Sequence, residues 1–198
     1  MILIINTCKE KLHYLEFVRP IEEIVKKESK FFTKHYFEVN LKDLEKAEKV
    51  IICGTALKDF EYDREMMAFS WLRGFEKPIL GICAGMQIIV KTFDGNLSVL
   101  ENSEFLGRQK SRGFFSEKKE IGLIKVKFDK DFLEIKKGEV EAYALHKSDV
   151  IGLGKDIEVY GKSKKGIQAI KLKSKEIYGV MFHPEARNRE IVENFCKK

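Results

Sequence analysis

The chain has 198 residues, of which 44% are hydrophobic and 34% are charged, and its formal net charge is +6. This size and composition predict a single globular domain over residues 1–198, and they exclude a disordered chain and a membrane-spanning one, since no apolar run approaches the length of a span. Because the lysines lie among glutamates, as in 22–30 (EEIVKKESK), the positive charge indicates a solvated surface and not a patch for nucleic acid.

Strands and helices alternate through the first half of the chain. Short apolar runs predict strands at 1–6, 36–39, 49–53 and 78–82. Longer segments predict helices at 15–27, with Pro20 as a start or a kink, at 63–75 and at 84–93. This alternation predicts an α/β fold, in which a mainly parallel, doubly wound sheet carries helices on both faces.

The second half of the chain is rich in short β segments. Strands are predicted at 121–128, 140–145, 157–162, 167–172 and 177–182, and a final helix at 187–196. Turns such as 163–166 (SKKG) separate these segments, so several of them are expected to pair antiparallel. The change of character near residue 110 therefore predicts a small antiparallel patch added to the parallel sheet within one domain.

The segment 78–90 (PILGICAGMQIIV) places a cysteine between two apolar runs. Gly81 and Gly85 flank Cys83 with the G-x-nucleophile-x-G spacing of a strand–turn–helix elbow, which often holds its nucleophile in a strained conformation. The start of the following helix favours a thiolate, and the Ala84 amide is placed to donate to an oxyanion. A buried packing cysteine is the alternative, but such a residue needs no flanking glycines.

A cysteine nucleophile needs a base, and His183 is the best candidate. It follows an apolar strand, Pro184 fixes the backbone after it, and Glu185 can orient the imidazole as a third member. Of the remaining histidines, His13 and His35 are predicted to be surface residues. His146 is predicted to be a loop residue near the substrate or partner face.

Two motifs together carry a family resemblance. The segments 81–87 (GICAGMQ) and 179–185 (GVMFHPE) resemble the class I glutamine amidotransferases, the triad-type glutaminases, and the resemblance covers nearly the whole chain. Within that family, 145–150 (LHKSDV) and 177–186 (IYGVMFHPEA) are most similar to the free-standing glutaminase subunit of archaeal-type GMP synthetase. The fold that this implies is flavodoxin-like, with the active site at the carboxyl ends of the parallel strands.

The resemblance also implies roles for individual residues. The implied triad is Cys83 as nucleophile, His183 as general base and acid, and Glu185 as orienting carboxylate. The implied substrate-binding residues are Gln87, Lys147 and Ser148. The implied reaction is hydrolysis of the glutamine side-chain amide through a γ-glutamyl thioester, with no cofactor involved and with ammonia delivered to a separate synthetase subunit.

The turn at 51–60 (IICGTALKDF) departs from the family pattern, which is commonly G-G-P. Gly54 matches the first glycine and is the predicted second oxyanion donor, whereas Thr55 and Ala56 replace the other two residues. Because only glycine adopts positive φ at little cost, Thr55 predicts an incompletely formed oxyanion hole and a low activity that rises with a partner bound. The alternative is that Gly54 alone supplies the donor and Thr55 is tolerated.

The cysteines give no sign of a metal site. They lie far apart and follow no ligand spacing: Cys8, Cys53, Cys83 and Cys196. With no export signal recognisable, the sequence predicts a cytoplasmic protein with reduced thiols and without a metal or organic cofactor.

Three other functions stay open on the sequence. A γ-glutamyl hydrolase or peptidase would use the same triad without a partner. A non-catalytic regulatory homologue is the second alternative, because the 54–56 turn is altered. A basic nucleic-acid-binding role is the most distant of the three, since no motif supports it.

Overall fold

The computed structural model describes residues 1–98 and 120–198, so the predicted change near residue 110 lies outside the described residues. The strands are β1 (Ile2–Asn6), β2 (Phe31–His35), β3 (Lys49–Ile52), β4 (Ile79–Ile82), β5 (Asn96–Leu97), β6 (Glu120–Phe128), β7 (Gly138–His146), β8 (Val150–Gly152), β9 (Ile157–Lys162), β10 (Ile167–Leu172) and β11 (Ile177–Val180). The helices are α1 (Lys11–Phe17), α2 (Arg19–Glu28), α3 (Leu41–Lys46), α4 (Glu61–Arg64), α5 (Ala84–Thr92) and α6 (Glu190–Lys197), with 3₁₀ turns at Tyr36–Glu38 and Met66–Gly74.

A nine-stranded mixed sheet in the order β2-β1-β3-β4-β11-β10-β9-β6-β7 forms the centre of the described structure. The first five strands in this order run parallel to one another, and the remaining pairs are antiparallel. The predicted α/β fold is therefore confirmed. The antiparallel strands are not a separate patch, because β11 pairs with β4 on one side and with β10 on the other, so they continue the same sheet.

Hydrophobic side chains on both faces of the sheet explain why helices pack against both faces. Along β1, Ile2 and Ile4 belong to one buried cluster, which includes residues of α1, α2 and α6. Leu3 and Ile5 belong to a second cluster, which includes residues of α3 and α5. Successive side chains of a strand point to opposite faces, so a continuous apolar run needs cover on both sides. Each such side chain contributes about 1.5–3 kcal/mol when fully buried.

Two predicted elements differ from the observed ones. The strand expected at 36–39 is wrong, because β2 occupies Phe31–His35 and the chain then turns into a 3₁₀ helix. The parallel register explains this difference, since the last pair joins His35 to Asn6, where β1 ends. The helix expected at 63–75 is instead the short α4 followed by a 3₁₀ turn.

Pro20 divides the first helical region, as expected. The predicted helix at 15–27 consists of α1 and α2, which meet at Val18, and Pro20 lies in the first turn of α2. Proline is tolerated there because the backbone N–H that it lacks has no partner within the first turn of a helix. In the described part of the chain, no helix combines the length and apolar character that a membrane crossing requires.

Candidate active site

The turn between β4 and α5 holds Cys83 in an unusual backbone conformation. Its φ is 47° and its ψ is −100°, on the left-handed side that residues other than glycine rarely adopt. Such conformations persist only where the surrounding structure enforces them, and they are concentrated at functional sites. The predicted elbow is therefore present, with Cys83 as the residue that precedes α5.

The two glycines of the elbow are explained by close backbone contacts. A Cβ atom on Gly81 would lie 2.6 Å from the backbone carbonyl group of Gly85, and one on Gly85 would lie 2.2 Å from the backbone oxygen of Ile52. Both distances are far below carbon–oxygen contact, so neither position accepts a side chain. Gly81 therefore allows the turn to fold against its own helix, and Gly85 allows that helix to pack against β3.

The Cys83 side chain is 4% exposed and lies at the amino end of α5. Its Sγ atom donates to the backbone oxygen of Leu145, at 3.7 Å. The positive end of the helix dipole favours a negative charge at this place. The Ala84 amide, in the first turn of α5, makes no backbone hydrogen bond to any described residue and is available to an oxyanion.

A buried histidine–carboxylate pair lies beside the elbow. The Nδ1 atom of His183 is 2.7 Å from Oε1 of Glu185, and the two residues are 2% and 4% exposed. The His183 amide donates to the Tyr143 backbone oxygen at 2.8 Å, which fixes His183 in the segment after β11. Since a carboxylate can only accept, Nδ1 carries the proton and Nε2 is left with its lone pair. That Nε2 atom is buried and has no hydrogen-bond partner among the described residues.

The charges around His183 favour its protonated form. Burial by itself would lower the pKa of His183, but the negative charges of Glu185 and of the Cys83 thiolate raise it well above its usual value. An imidazole with this pKa can take the thiol proton and keep it as an imidazolium next to the thiolate. Cys83 and His183 therefore form a candidate cysteine–histidine couple.

Gly54, in the loop after β3, contacts both members of that couple. A Cβ atom at this position would lie 2.7 Å from Cε1 of His183 and 3.2 Å from Cβ of Cys83. The Gly54 amide makes no backbone hydrogen bond to a described residue. The structure thus brings the loop that carries this predicted donor against the catalytic candidates.

The predicted substrate residues Gln87, Lys147 and Ser148 line one small cavity together with Cys83 and Ala84. Its volume is about 20 Å³, which is room for about one water molecule. A cavity of about 270 Å³ adjoins it and shares Gln87 and Ser148 as lining residues.

Two aromatic residues of the 60–62 segment complete this region, and the sequence pattern did not identify either. The Lys147 Nζ atom lies 3.6 Å from the ring centre of Phe60, so a cation–π contact joins the two sides of the small cavity. The Tyr62 hydroxyl donates to Oε1 of Gln87 at 2.8 Å. The spacing of these residues gave no signal because they come from a loop and a short helix after β3.

Two histidines lie in places other than those expected. His13 was predicted at the surface but is 4% exposed, and its Nδ1 is 2.7 Å from Oδ2 of Asp59. His146 was predicted in a loop, but it is the last residue of β7 and is 2% exposed, although it does line the small cavity. Its Nε2 lies 3.2 Å from Oε2 of Glu120. In both cases a distant carboxylate accounts for the burial.

A family model named Glutamine amidotransferase class-I matches residues 12–198 of the chain. The chain belongs to this family. The predictions that it resembles the class I glutamine amidotransferases and is an enzyme of that class are therefore confirmed. Among the described residues, no group of three or more histidine, cysteine or acidic side chains could hold a metal ion.

Two relatives of this glutamine amidotransferase are each named as the glutamine-hydrolysing A subunit of a GMP synthase. The protein from Methanococcus aeolicus is 32% identical over 183 residues, which covers 82% of this chain and 90% of that one. The protein from Methanocaldococcus jannaschii is 31% identical over 185 residues, with the same coverage of 82% and 90%.

Solved structures share the fold of this glutamine amidotransferase. One is described as the A subunit of a GMP synthase from Thermoplasma acidophilum; its TM-score is 0.78 at 18% identity, over 99% of this chain and 92% of that one. A glutamine amidotransferase from Thermotoga maritima has a TM-score of 0.64 at 20% identity, over 93% and 75%. The chain therefore has the same overall fold as these proteins.

Proposed function

We propose that the chain is the glutamine-hydrolysing subunit of a GMP synthase, which releases ammonia for a separate synthetase subunit. The observation that carries this proposal is the position of Cys83, on a strained elbow next to the buried His183–Glu185 pair. The names of the relatives support the pathway and the separate synthetase. Such a protein would act in the cytoplasm, as the sequence predicts.

The first half of the reaction forms a thioester. His183 takes the proton of Cys83, and the thiolate attacks the side-chain amide carbon of glutamine. The Ala84 and Gly54 amides donate to the oxygen that becomes negatively charged. The imidazolium then gives its proton to the amide nitrogen, which leaves as ammonia while the γ-glutamyl group stays on sulfur.

The second half releases glutamate. His183 takes a proton from water, and the hydroxide attacks the thioester carbon. The same amides stabilise the second oxyanion, and the thiolate leaves. The Glu185 carboxylate holds the imidazole in the required tautomer and stabilises its charge in both halves. The balance is glutamine and water to glutamate and ammonia.

The size of the active-site cavity supports a low activity of the isolated chain. Because the cavity of about 20 Å³ beside Cys83 is smaller than glutamine, we propose that the contact between Lys147 and Phe60 opens when glutamine binds there. Thr55 lies outside the positive-φ region, so the loop carries no backbone strain at that residue. We propose that the synthetase favours the open arrangement and raises turnover. A turnover that the correct synthetase leaves unchanged would overturn this part of the proposal.

Covalent labelling with a diazo-ketone analogue of glutamine tests the central proposal. Intact-protein mass should show one adduct, which excess glutamine prevents and which Cys83→Ala abolishes. Ammonia release from glutamine, with and without γ-glutamyl peptides as competing substrates, separates an amidotransferase from a γ-glutamyl hydrolase. A protein that gains no adduct and cleaves only γ-glutamyl peptides would overturn the proposed function.

A further inference from the structure

A buried carboxylate lies in the loop after β3, five residues from Gly54. Asp59 is 3% exposed, and its Oδ2 atom accepts three hydrogen bonds. The donors are Oγ1 of Thr55 at 2.7 Å, Nδ1 of His13 at 2.7 Å and the backbone N of Lys9 at 3.1 Å. They come from the loop itself, from α1 and from the segment before α1. A single oxygen atom therefore ties the loop to α1.

The Asp59 carboxylate is a charged acceptor at neutral pH. Burial by itself would raise the pKa of Asp59, but the hydrogen bonds from Thr55, His13 and Lys9 outweigh burial and lower it. Hydrogen bonds to an ionised acceptor are about twice as strong as those between neutral groups. Since Asp59 and His13 are both buried, water does not compete well for these contacts.

The other end of the loop is fixed by residues that follow β1. The Thr7 hydroxyl donates to the backbone oxygens of Cys53, at 3.0 Å, and Gly54, at 3.2 Å. The Cys8 thiol donates to the same Gly54 oxygen at 3.8 Å. This is the place where the strand order of the sheet reverses, between β1 and β3, and where parallel sheets form binding crevices.

The loop is tightly packed where it passes Cys83 and His183. The space around Gly54 is filled by His183 and Cys83, within 3.4 Å of where a Cβ atom would be. A displacement of about 1 Å in such a site can cost about 10²-fold in rate. Asp59 lines the small cavity with Cys83 but is bonded to neither of these side chains, and its hydrogen bonds run to the loop and to the region of α1.

We propose that Asp59, Thr55 and His13 form a positioning unit, which holds the loop so that the Gly54 amide is presented to the developing oxyanion. This inference rests on the proposed glutaminase function and deepens it. The hydroxyl of Thr55 fixes the loop through a side-chain bond, and the backbone of Thr55 needs no positive φ to do so. Thr55 and Asp59 also line the small cavity beside Cys83. We assign all three side chains to positioning, because their hydrogen bonds join the loop to α1.

Two substitutions at one residue test the unit. Thr55→Val keeps the shape of the side chain but removes the hydroxyl, whereas Thr55→Ser keeps the hydroxyl. We expect Thr55→Val to lower kcat for glutamine by at least about tenfold with KM changed less than about threefold, since transition-state stabilisation is lost and ground-state binding is not. Thr55→Ser should retain more than about a third of kcat. Asp59→Asn should behave like Thr55→Val.

Two controls separate positioning from general damage. Alkylation of Cys83 by iodoacetamide needs the thiolate but no oxyanion, so its rate should be equal in the wild-type protein and in Thr55→Val. Lys58→Ala removes an exposed ion pair, 3.2 Å long, between the loop and Glu10, the residue before α1. This variant should leave turnover unchanged. Equal turnover in Thr55→Val and the wild type, or an alkylation rate that falls as much as kcat, would overturn the proposal.

Hydrogen exchange distinguishes failure of this inference from failure of the proposed function. Backbone amides of residues 53–60 should exchange faster in Thr55→Val than in Thr55→Ser or Lys58→Ala. If the wild-type protein hydrolyses no glutamine with or without its synthetase, the proposed function fails, and the exchange rates still report whether the side chains hold the loop. Unchanged exchange in Thr55→Val would overturn the unit in either case.

Discussion

A methyl group added at Gly54 would collide with His183, the proposed general base. In Gly54→Ala the new Cβ would lie 2.7 Å from Cε1 of His183, whereas carbon atoms in contact are separated by about 3.5–4.0 Å. One of the two groups has to move by about 0.8 Å or more. The imidazole cannot recede freely, because Glu185 holds it and the Phe17 ring lies with its centre 5.2 Å away.

The expected loss follows from that displacement. A shift of about 1 Å between reacting groups costs about 10²-fold in rate, which is about 2.7 kcal/mol of activation free energy. Overpacking of a filled site costs about 1–3 kcal/mol of unfolding free energy. We therefore expect Gly54→Ala to lower kcat/KM for glutamine by about 100-fold and to remain folded, with a measurably lower midpoint of urea unfolding.

Gly74→Ala is the matched control. Apart from its chain neighbours and its own helix backbone, no described atom lies within 4 Å of the position of its Cβ, and its φ is not positive. Turnover should therefore be unchanged, and stability should change by less than about 1 kcal/mol. Ammonia release measures turnover, and the rate of labelling by the diazo-ketone analogue serves if basal turnover is low. A Gly54→Ala protein with more than about a third of wild-type kcat/KM would refute the placement of this loop against His183.

Glu185→Gln keeps the shape of the residue that orients His183 but removes its charge. We expect kcat to fall on the order of 10³-fold and the pKa of His183, measured by NMR, to be lower than in the wild type. A loss of kcat below about tenfold would contradict the orienting role. At a pH of about 8, iodoacetamide should label the native protein once, at Cys83, because burial raises the pKa of the other three thiols and keeps them protonated. A second label found by peptide mapping would contradict that burial. Tyr62→Phe leaves the buried Oε1 atom of Gln87 without its hydrogen-bond donor. The unfolding free energy should therefore fall by about 1–2 kcal/mol in urea titrations, and KM for glutamine should rise. An unchanged unfolding midpoint would show that the hydrogen bond between Tyr62 and Gln87 does not form.

The sheet and the elbow were predictable because their signals are local. An apolar run such as Ile2–Asn6 must be covered on both faces wherever it lies, so its pattern alone indicates a central parallel strand. The glycines around Cys83 are likewise read within five residues, and the structure explains them by contacts with the turn's own helix and with β3. His183 and Glu185 are two residues apart, so their pairing follows from the chain itself.

The residue at which a strand ends is less predictable, because it depends on the strand that pairs with it. The segment 31–39 (FFTKHYFEV) favours β structure throughout, and nothing within it marks where the strand stops. The observed end at His35 is set by the end of β1, which lies far away in sequence. Sequence pattern therefore predicts that a strand exists here more reliably than it predicts its bounds.

The burial of His13 shows the same limit at the active site. Its neighbours in sequence are charged, which predicts exposure, yet Asp59, 46 residues later, lies against it. Thr55 and Asp59 both lie in the turn that departs from the family pattern. That departure is a gain of hydrogen-bonding groups as well as a loss of glycine. The two interpretations differ in consequence. The loss of glycine predicts a distorted loop. A hydrogen bond between a hydroxyl and a carboxylate predicts instead a loop that its side chains hold in place. Thr55, Asp59 and His13 must therefore be treated as one unit in any variant of this site.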